Sequence, residues 1–220
     1  MSTAVYFADT EPLKDSGTYS RCYDALPDFR KEKADAFVFD KDRYLSVGVW
    51  MLLQRALDDI GIDMDSLRFD RTGTGKPFIA DSDIRFNLSH SHERVMCIVS
   101  DREVGCDVER IDPIDMNVAK RFFYGSEYDT IMAGQTPSDR YDMFYRFWTL
   151  KESFMKATGL GFRLPLDAFR IDIGSTIGVE QKVDGSEYGF AEYDIGDGYR
   201  YAACCRDGDI AEKMIRVDLR

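Results

Sequence analysis

Three short segments of the 220-residue chain carry side chains that can do chemistry. In Gly105-Cys106-Asp107-Val108-Glu109, an extended backbone turns Asp107 and Glu109 to one face and the apolar Cys106 and Val108 to the other. Two carboxylates on one face repel unless a cation or proton lies between them. An all-oxygen pair suits Mg²⁺, which takes one or two carboxylates and completes its shell with water and substrate phosphates. A solvated edge strand is the other reading of so short a pattern. On the segment from Trp148 to Lys156, Glu152 and Lys156 stand four apart on one helical face, with Trp148 a turn earlier. They offer a metal ligand or base and a phosphate contact, or else a routine surface ion pair. The third segment, Phe86-Asn87-Leu88-Ser89-His90-Ser91-His92, holds both histidines of the chain. No third nitrogen or thiolate lies at zinc spacing, which leaves phosphate binding or a polar turn.

Weaker candidates are basic. Gly75-Lys76-Pro77 lacks the glycine spacing and the Ser/Thr of a Walker loop. Arg30, Lys31, Lys33 and Arg43 form a cationic group that is either an anion site or a solvated helix face. The formal net charge of −11 excludes bulk nucleic-acid binding, which needs a basic footprint. An anionic ligand must therefore meet a local basic pocket. No run approaches the roughly 20 apolar residues of a membrane helix, so no membrane contact is expected. The opening MSTAVYFADT lacks the basic start and apolar run of a signal peptide, so a cytoplasmic location is expected. Cys22, Cys97, Cys106, Cys204 and Cys205 include no C-x-x-C pair and read as reduced, buried thiols.

The elements that must position these residues follow from periodicity. A short strand is expected over residues 4–7 and helical structure over 27–39. A stronger helix spans 40–60, where Leu45, Val49, Leu52, Leu53, Ala56, Leu57 and Ile60 recur at helical spacing before Gly61. Residues 72–77 form a turn-rich loop. Strands follow over 83–88, 94–100 and 104–109, the last two joined by the tight polar connection 101–103. A helical stretch covers 116–124. Thr136 as N-cap, Pro137 at the first helical position and Asp139 at the third open the longest helix, which stops near Gly159. Short strands of an antiparallel sheet fill residues 168–206. RVMCIVSD at Arg94 and RYAACCRD at Arg200 are loosely alike, a weak hint of two related halves.

Taken together, the segments resemble the phosphopantetheinyl transferase superfamily, in its larger surfactin-synthetase-activator type. GKP at Gly75, FNLSHS at Phe86, VGCDVE at Val104 and FWTLKESFMKATGLG at Phe147 occur in the family's order. AKRFFYGSEY from Ala119 and LPLDAF from Leu164 add to it. The resemblance implies an α+β fold of two similar halves, residues 1–104 and 105–220, forming a pseudo-dimer with the active site between them. It implies a monomer that moves phosphopantetheine from coenzyme A to a serine of an apo acyl, peptidyl or polyketide carrier protein and releases 3′,5′-ADP. Asp107, Glu109 and Glu152 match the family's Mg²⁺ ligands; the choice between Mg²⁺ and Mn²⁺ is left open by the sequence. Glu152 also matches a base for the serine proton, and Lys156 the lysine on the pyrophosphate. Ser89 and His90 match the pair at the adenosine-side phosphates, and Lys76 and Arg43 match basic residues near the 3′-phosphate and adenine. Arg30 and Lys33 align more loosely as phosphate contacts.

The segment that begins at Asp112 and ends at Tyr124 resembles the carrier-docking region. Ile114, Met116, Phe122 and Phe123 are its apolar candidates, core packing being the other reading of the two phenylalanines. Lys120 and Arg121 would attract an acidic carrier. Cys106 stands where the family usually has Ile, and His92 and Glu93 stand where Gly is frequent, which puts the shape of that turn in question. Two other functions use the same residues: a metal-dependent phosphohydrolase, and a coenzyme A- or carrier-binding homologue without turnover.

Overall fold

The computed structural model describes residues 3–220. The N-terminal half runs β1 (Ala4–Asp9), α1 (Ser16–Asp24), α2 (Asp28–Asp35), α3 (Asp40–Asp59), β2 (Phe69–Arg71), β3 (Pro77–Ile79), β4 (Arg85–Ser91) and β5 (Arg94–Ser100). The C-terminal half continues with β6 (Val104–Arg110), α4 (Asn117–Phe122), α5 (Gly125–Met132), α6 (Pro137–Thr158), β7 (Arg170–Ile173), β8 (Ile177–Glu180), β9 (Tyr188–Tyr193), β10 (Tyr199–Arg206) and β11 (Ile215–Arg216). One sheet has the order β11-β1-β5-β4 and another β6-β10-β9; β2-β3 and β7-β8 are separate hairpins.

Strand alternation builds three cores from two sheets. On β5, Val95, Cys97 and Val99 face α3, while Met96 and Ile98 face the other sheet. On β10, Ala202 and Cys204 face α6, while Tyr201, Ala203 and Cys205 face back. Each half is thus a long helix over an antiparallel sheet, and the outward sheet faces pack on each other. β5 and β10 are the central strands of their sheets, which gives the likeness of RVMCIVSD and RYAACCRD its physical meaning. The chain is an α+β pseudo-dimer. Its C-terminal strand β11 returns to pair with β1 in parallel, lacing the tail to the first half.

The helix expectations hold, with one shortening: α2 ends at Asp35 and leaves Phe37, Val38 and Phe39 in open loop. Thr136 caps α6 through its side chain to the Asp139 amide, and Gly159 ends it at φ 72°, in the left-handed region glycine enters freely. Connection 101–103 is not a hairpin turn, because β5 and β6 belong to different sheets. The strand expected over 83–88 extends through Ser91, so Ser89 and His90 lie on a strand. The turn from β4 to β5 is formed with His92 at φ 52°, a conformation glycine would adopt with less strain. All five cysteines are buried free thiols. Among the described residues no helix is long and apolar enough to cross a membrane.

Candidate active site

Cys106 and Val108 on β6 point into the core between the sheets, leaving Gly105, Asp107 and Glu109 toward α6. Gly105 is what lets α6 come close. A Cβ there would lie 2.0 Å from the Ser153 carbonyl oxygen and 2.5 Å from the Ala157 amide nitrogen. The helix backbone therefore rests directly on the strand, one residue pair before Asp107. Lys156 then reaches across, its ammonium donating to Asp107 Oδ1 at 2.6 Å, Ser89 Oγ at 3.1 Å and the Cys106 carbonyl at 3.1 Å. All three of its protons are in use, although the side chain is a quarter exposed. Burial alone would lower its pKa, but Asp107 and its neighbours hold it above the ordinary lysine value.

The carboxylates crowd one another. Asp107 is 3% exposed, and its Oδ2 is buried with no hydrogen-bond partner. Burial, then the Asp107 charge, pushes Glu109 up to about 7. Burial and Asp107 likewise raise Glu152, against the opposing pull of Lys156. Among the described residues no three His, Cys, Asp or Glu side chains form a ready-made metal cage. Lys156 supplies the positive charge beside Asp107 instead.

Strand β4 meets β6 through side chains rather than a backbone ladder. Asn87 Oδ1 accepts from the Cys106 amide at 2.9 Å, Ser89 Oγ from Val108 at 3.4 Å, and Ser91 Oγ from Arg110 at 3.3 Å. The Ser89 hydroxyl passes its one proton to Asp107 Oδ1 at 2.8 Å. In this arrangement Ser89 joins the lysine–carboxylate pair. The structure gives Asn87 and Ser91 a place at the site that motif reading did not assign. Their alternation with Ser89 was the signal.

Beyond β4 lies a cleft of about 550 Å³ lined by Arg30, Lys33, Arg71 and His90. Arg30 is buried over the Trp50 ring, 4.7 Å from its centroid, and donates to Ser46 O at 2.7 Å. Burial, and then the charge of Arg71, brings its pKa down to about 10. Burial and the neighbouring Arg30 and Arg71 also lower Lys33. His90 meets solvent at the cleft, yet the surrounding protein, Lys156 and Lys33 hold its pKa below the usual value. Asp42 and Asp70 line the cleft, but among the described residues no carboxylate forms an ion pair with Arg30, Lys33 or Arg71. Arg71 is a further residue that motif reading missed; a single arginine before a turn gives no pattern. A second groove, lined by Lys76, Glu152, Lys156 and Phe162, shares Gly75, Pro77 and Asn87 with the first, so the two form one trough.

Two expected cations stand apart from the Arg30 cleft. Arg43 donates to the Phe37 carbonyl and to Asp40, bracing the loop before α3. Lys76 is tied to Glu103 at 3.2 Å and to the Val104 carbonyl at 3.1 Å, pinning the β2–β3 hairpin to the second half. In the segment from Asp112 to Tyr124, Phe123 is buried against Phe144, whereas Phe122 is 43% exposed beside exposed Lys120 and Arg121. Ile114 and Met116 pack on the edge of the second core. Behind Glu152, the fully buried Lys151 pairs with Glu127 at 2.9 Å and donates to the Leu166 and Phe169 carbonyls. Glu127 in turn accepts from the Tyr124 and Ile171 amides. This clasp fixes the Glu152–Lys156 face of α6 from its far side.

The chain is similar to known proteins over most of its length. Residues 103–204 match the model of the 4′-phosphopantetheinyl transferase superfamily, and residues 12–103 that of the 4′-phosphopantetheinyl transferase N-terminal region. The 4′-phosphopantetheinyl transferase gsp of Aneurinibacillus migulanus is 36% identical over 79% of this chain and 75% of its own. Sfp of Bacillus subtilis, also a 4′-phosphopantetheinyl transferase, is 32% identical over 86% and 85%. A holo-(acyl-carrier-protein) synthase from Bacillus anthracis, solved with CoA (3′,5′-ADP), aligns with 48% of this chain and 96% of its own at 12% identity and a TM-score of 0.42. On the extent and identity of the sequence matches, the chain belongs to the 4′-phosphopantetheinyl transferase superfamily.

Proposed function

We propose that this chain transfers the 4′-phosphopantetheine arm of coenzyme A to a serine of an apo acyl, peptidyl or polyketide carrier protein. The observation that carries the proposal is the trough that joins cations without carboxylate partners among the described residues to Glu152 and to Lys156, which in turn holds Asp107. A nucleotide with a pyrophosphate and a separate phosphate answers the cationic end. In this reading Arg30, Lys33 and His90 receive the adenosine-side phosphates, with Arg71 beside them. Lys76 and Arg43 join only by leaving Glu103 and Asp40. Lys156 trades one of its three contacts for a pyrophosphate oxygen.

The serine oxygen attacks the β-phosphorus, the bond to 3′,5′-ADP breaks, and the serine proton passes to a carboxylate. Glu152 is suited to receive it, because burial raises its basicity. Asp107, Glu109 and Glu152 also fit Mg²⁺, or Mn²⁺ in its place. They are oxygen donors, they repel one another, and Asp107 Oδ2 is buried without a partner. When bound, such an ion would offset charge on the leaving phosphate. A carboxylate committed to metal is a weaker base, so the two roles of Glu152 compete. The carrier would dock on the segment from Asp112 to Tyr124, with exposed Phe122 as its apolar contact. We assign the chain as a monomer with its two halves divided near Val104, working in the cytoplasm, where its five thiols stay reduced.

The test is to incubate the protein with coenzyme A, Mg²⁺ and apo carrier protein and weigh the carrier. A mass gain of one phosphopantetheine is expected. No gain across fatty-acid, peptidyl and polyketide carriers overturns the reading. Phosphate or phosphopantetheine released without a carrier would favour a hydrolase.

A further inference from the structure

The joint between the halves has a regularity that the transfer reaction does not by itself require. Asn87, Ser89 and Ser91 alternate along β4, and each accepts an amide proton from alternate residues of β6. Side-chain oxygens replace the carbonyls of a ladder these two strands do not form. Both serines then pass their own proton forward to the carboxylate on the residue before the amide they capture. Ser89 donates to Asp107, and Ser91 to Glu109 Oε2 at 2.7 Å. Ser91 is 7% exposed, so solvent offers its hydroxyl little competition.

We propose that Ser91 is a positioning residue that holds the Glu109 carboxylate beside Asp107 and Glu152, where the metal would be held. The proposal rests on reading Glu109 as a site carboxylate. A glutamate has three rotatable side-chain bonds, and Asp107 and Glu152 both repel Glu109. Without a tether it would swing toward water. The Ser91 hydroxyl is the tether: it is short, charge-assisted, and fixed to the β6 backbone by the Arg110 amide. His92 Nδ1 lies 3.2 Å from the same oxygen. The hydroxyl has one proton, and the closer, charged carboxylate takes it, leaving His92 as a donor to that oxygen. A lost partner of this kind typically costs about 10- to 100-fold in metal affinity.

The experiment measures Mn²⁺ binding by electron paramagnetic resonance with coenzyme A present, alongside thermal melting and the Mg²⁺ dependence of transfer. Ser91→Ala should weaken Mn²⁺ binding about tenfold and shift the Mg²⁺ requirement upward, with Ser91→Thr restoring both. In a Glu109→Gln background, Ser91→Ala should add nothing. If Ser91→Ala fails to fold, Ser91→Cys keeps the volume with a poorer donor and should show the same loss. Lower melting with unchanged Mn²⁺ affinity would make Ser91 a structural residue and overturn the proposal. So would an equal loss in the Glu109→Gln background. Should Glu109→Gln alone leave Mn²⁺ binding intact, the underlying reading of Glu109 fails, and the proposal with it.

Discussion

The two halves share one build but gather side chains of opposite charge at the site. In the first, α3 covers its sheet with Val49, Leu52, Leu53 and Ala56, and the polar work is done at one end by Arg30, Lys33, Arg71 and His90. In the second, α6 covers its sheet but turns Glu152 and Lys156 onto the strand that bears Asp107 and Glu109. Like charges gathered in low-dielectric surroundings are costly unless a counter-charge arrives. Each half leaves its charge incompletely answered, one lacking an anion and the other a cation. A ligand carrying several phosphates with a divalent ion supplies both, and it can do so only where β4 and β6 bring the two ends side by side.

Breaking the acidic end should have the largest effect. Asp107→Ala removes the carboxylate that Lys156 and Ser89 both hold, and kcat/KM for carrier modification should fall on the order of 1,000-fold. Added Mg²⁺ should not restore it. Full activity in this variant would remove Asp107 from the site. Next comes the contact that sets α6 on β6. Gly105→Ala forces a methyl group into helix backbone, which cannot rotate away. We expect a stability loss of about 1–3 kcal/mol by denaturant titration and, from displaced Glu152 and Lys156, roughly 100-fold slower transfer. In the first half a close glycine, Gly48, lies on the helix α3 and faces the tip of the Thr10 side chain rather than backbone, so Gly48→Ala should cost less on both measures. Equal losses at the two glycines would contradict the special closeness of α6.

The same contrast explains what was legible in the sequence. Alternation on β6 put Asp107 and Glu109 on one face and Cys106 and Val108 in the core, because a strand has only two faces. Helical spacing likewise put Glu152 with Lys156. Nothing local brought that helix to that strand; the resemblance did, and the structure supplies the cause in Gly105. Lys76 and Arg43 match family positions, yet their partners Glu103, Phe37 and Asp40 are set by tertiary contacts that no spacing reveals. The Lys151–Glu127 clasp spans 24 positions between elements of which one, α5, is only eight residues long. Residues 27–39 mix charges with Phe29, Ala36, Phe37 and Phe39 and so suggest helix throughout, but the chain leaves α2 at Asp35, before α3 begins at Asp40.

The basic end should respond through binding rather than chemistry. Lys33→Ala and Arg71→Ala each remove a cation from the cleft without touching the carboxylates. The KM for coenzyme A should rise about tenfold in each, in line with a charged hydrogen bond of roughly 1.5–3 kcal/mol partly screened by solvent. The turnover number should stay near that of the parent. A fall in turnover with unchanged KM would move these residues from the binding end to the reacting end. Because the two share one cleft, the double variant should fall short of the product of the single effects.

The smallest effect is expected outside the trough, where charge steers a partner instead of holding a ligand. Lys120 and Arg121 are exposed at the end of α4, next to Phe122, on a chain whose net charge is −11. An acidic carrier approaching that surface is repelled by most of the protein and attracted only locally. Reversing both residues, Lys120→Glu with Arg121→Glu, should raise the KM for the carrier a few-fold, about the worth of two exposed pairs at 0.2–1 kcal/mol each. The KM for coenzyme A should not move. The salt dependence is the sharper reading: the parent should lose carrier affinity as ionic strength rises, and the reversed variant should lose less or gain. Phe122→Ala should raise the same KM without altering its salt dependence, because its 43% exposed ring contributes apolar area and no charge. If the double reversal leaves both the carrier KM and its salt dependence unchanged, the carrier does not dock at the end of α4.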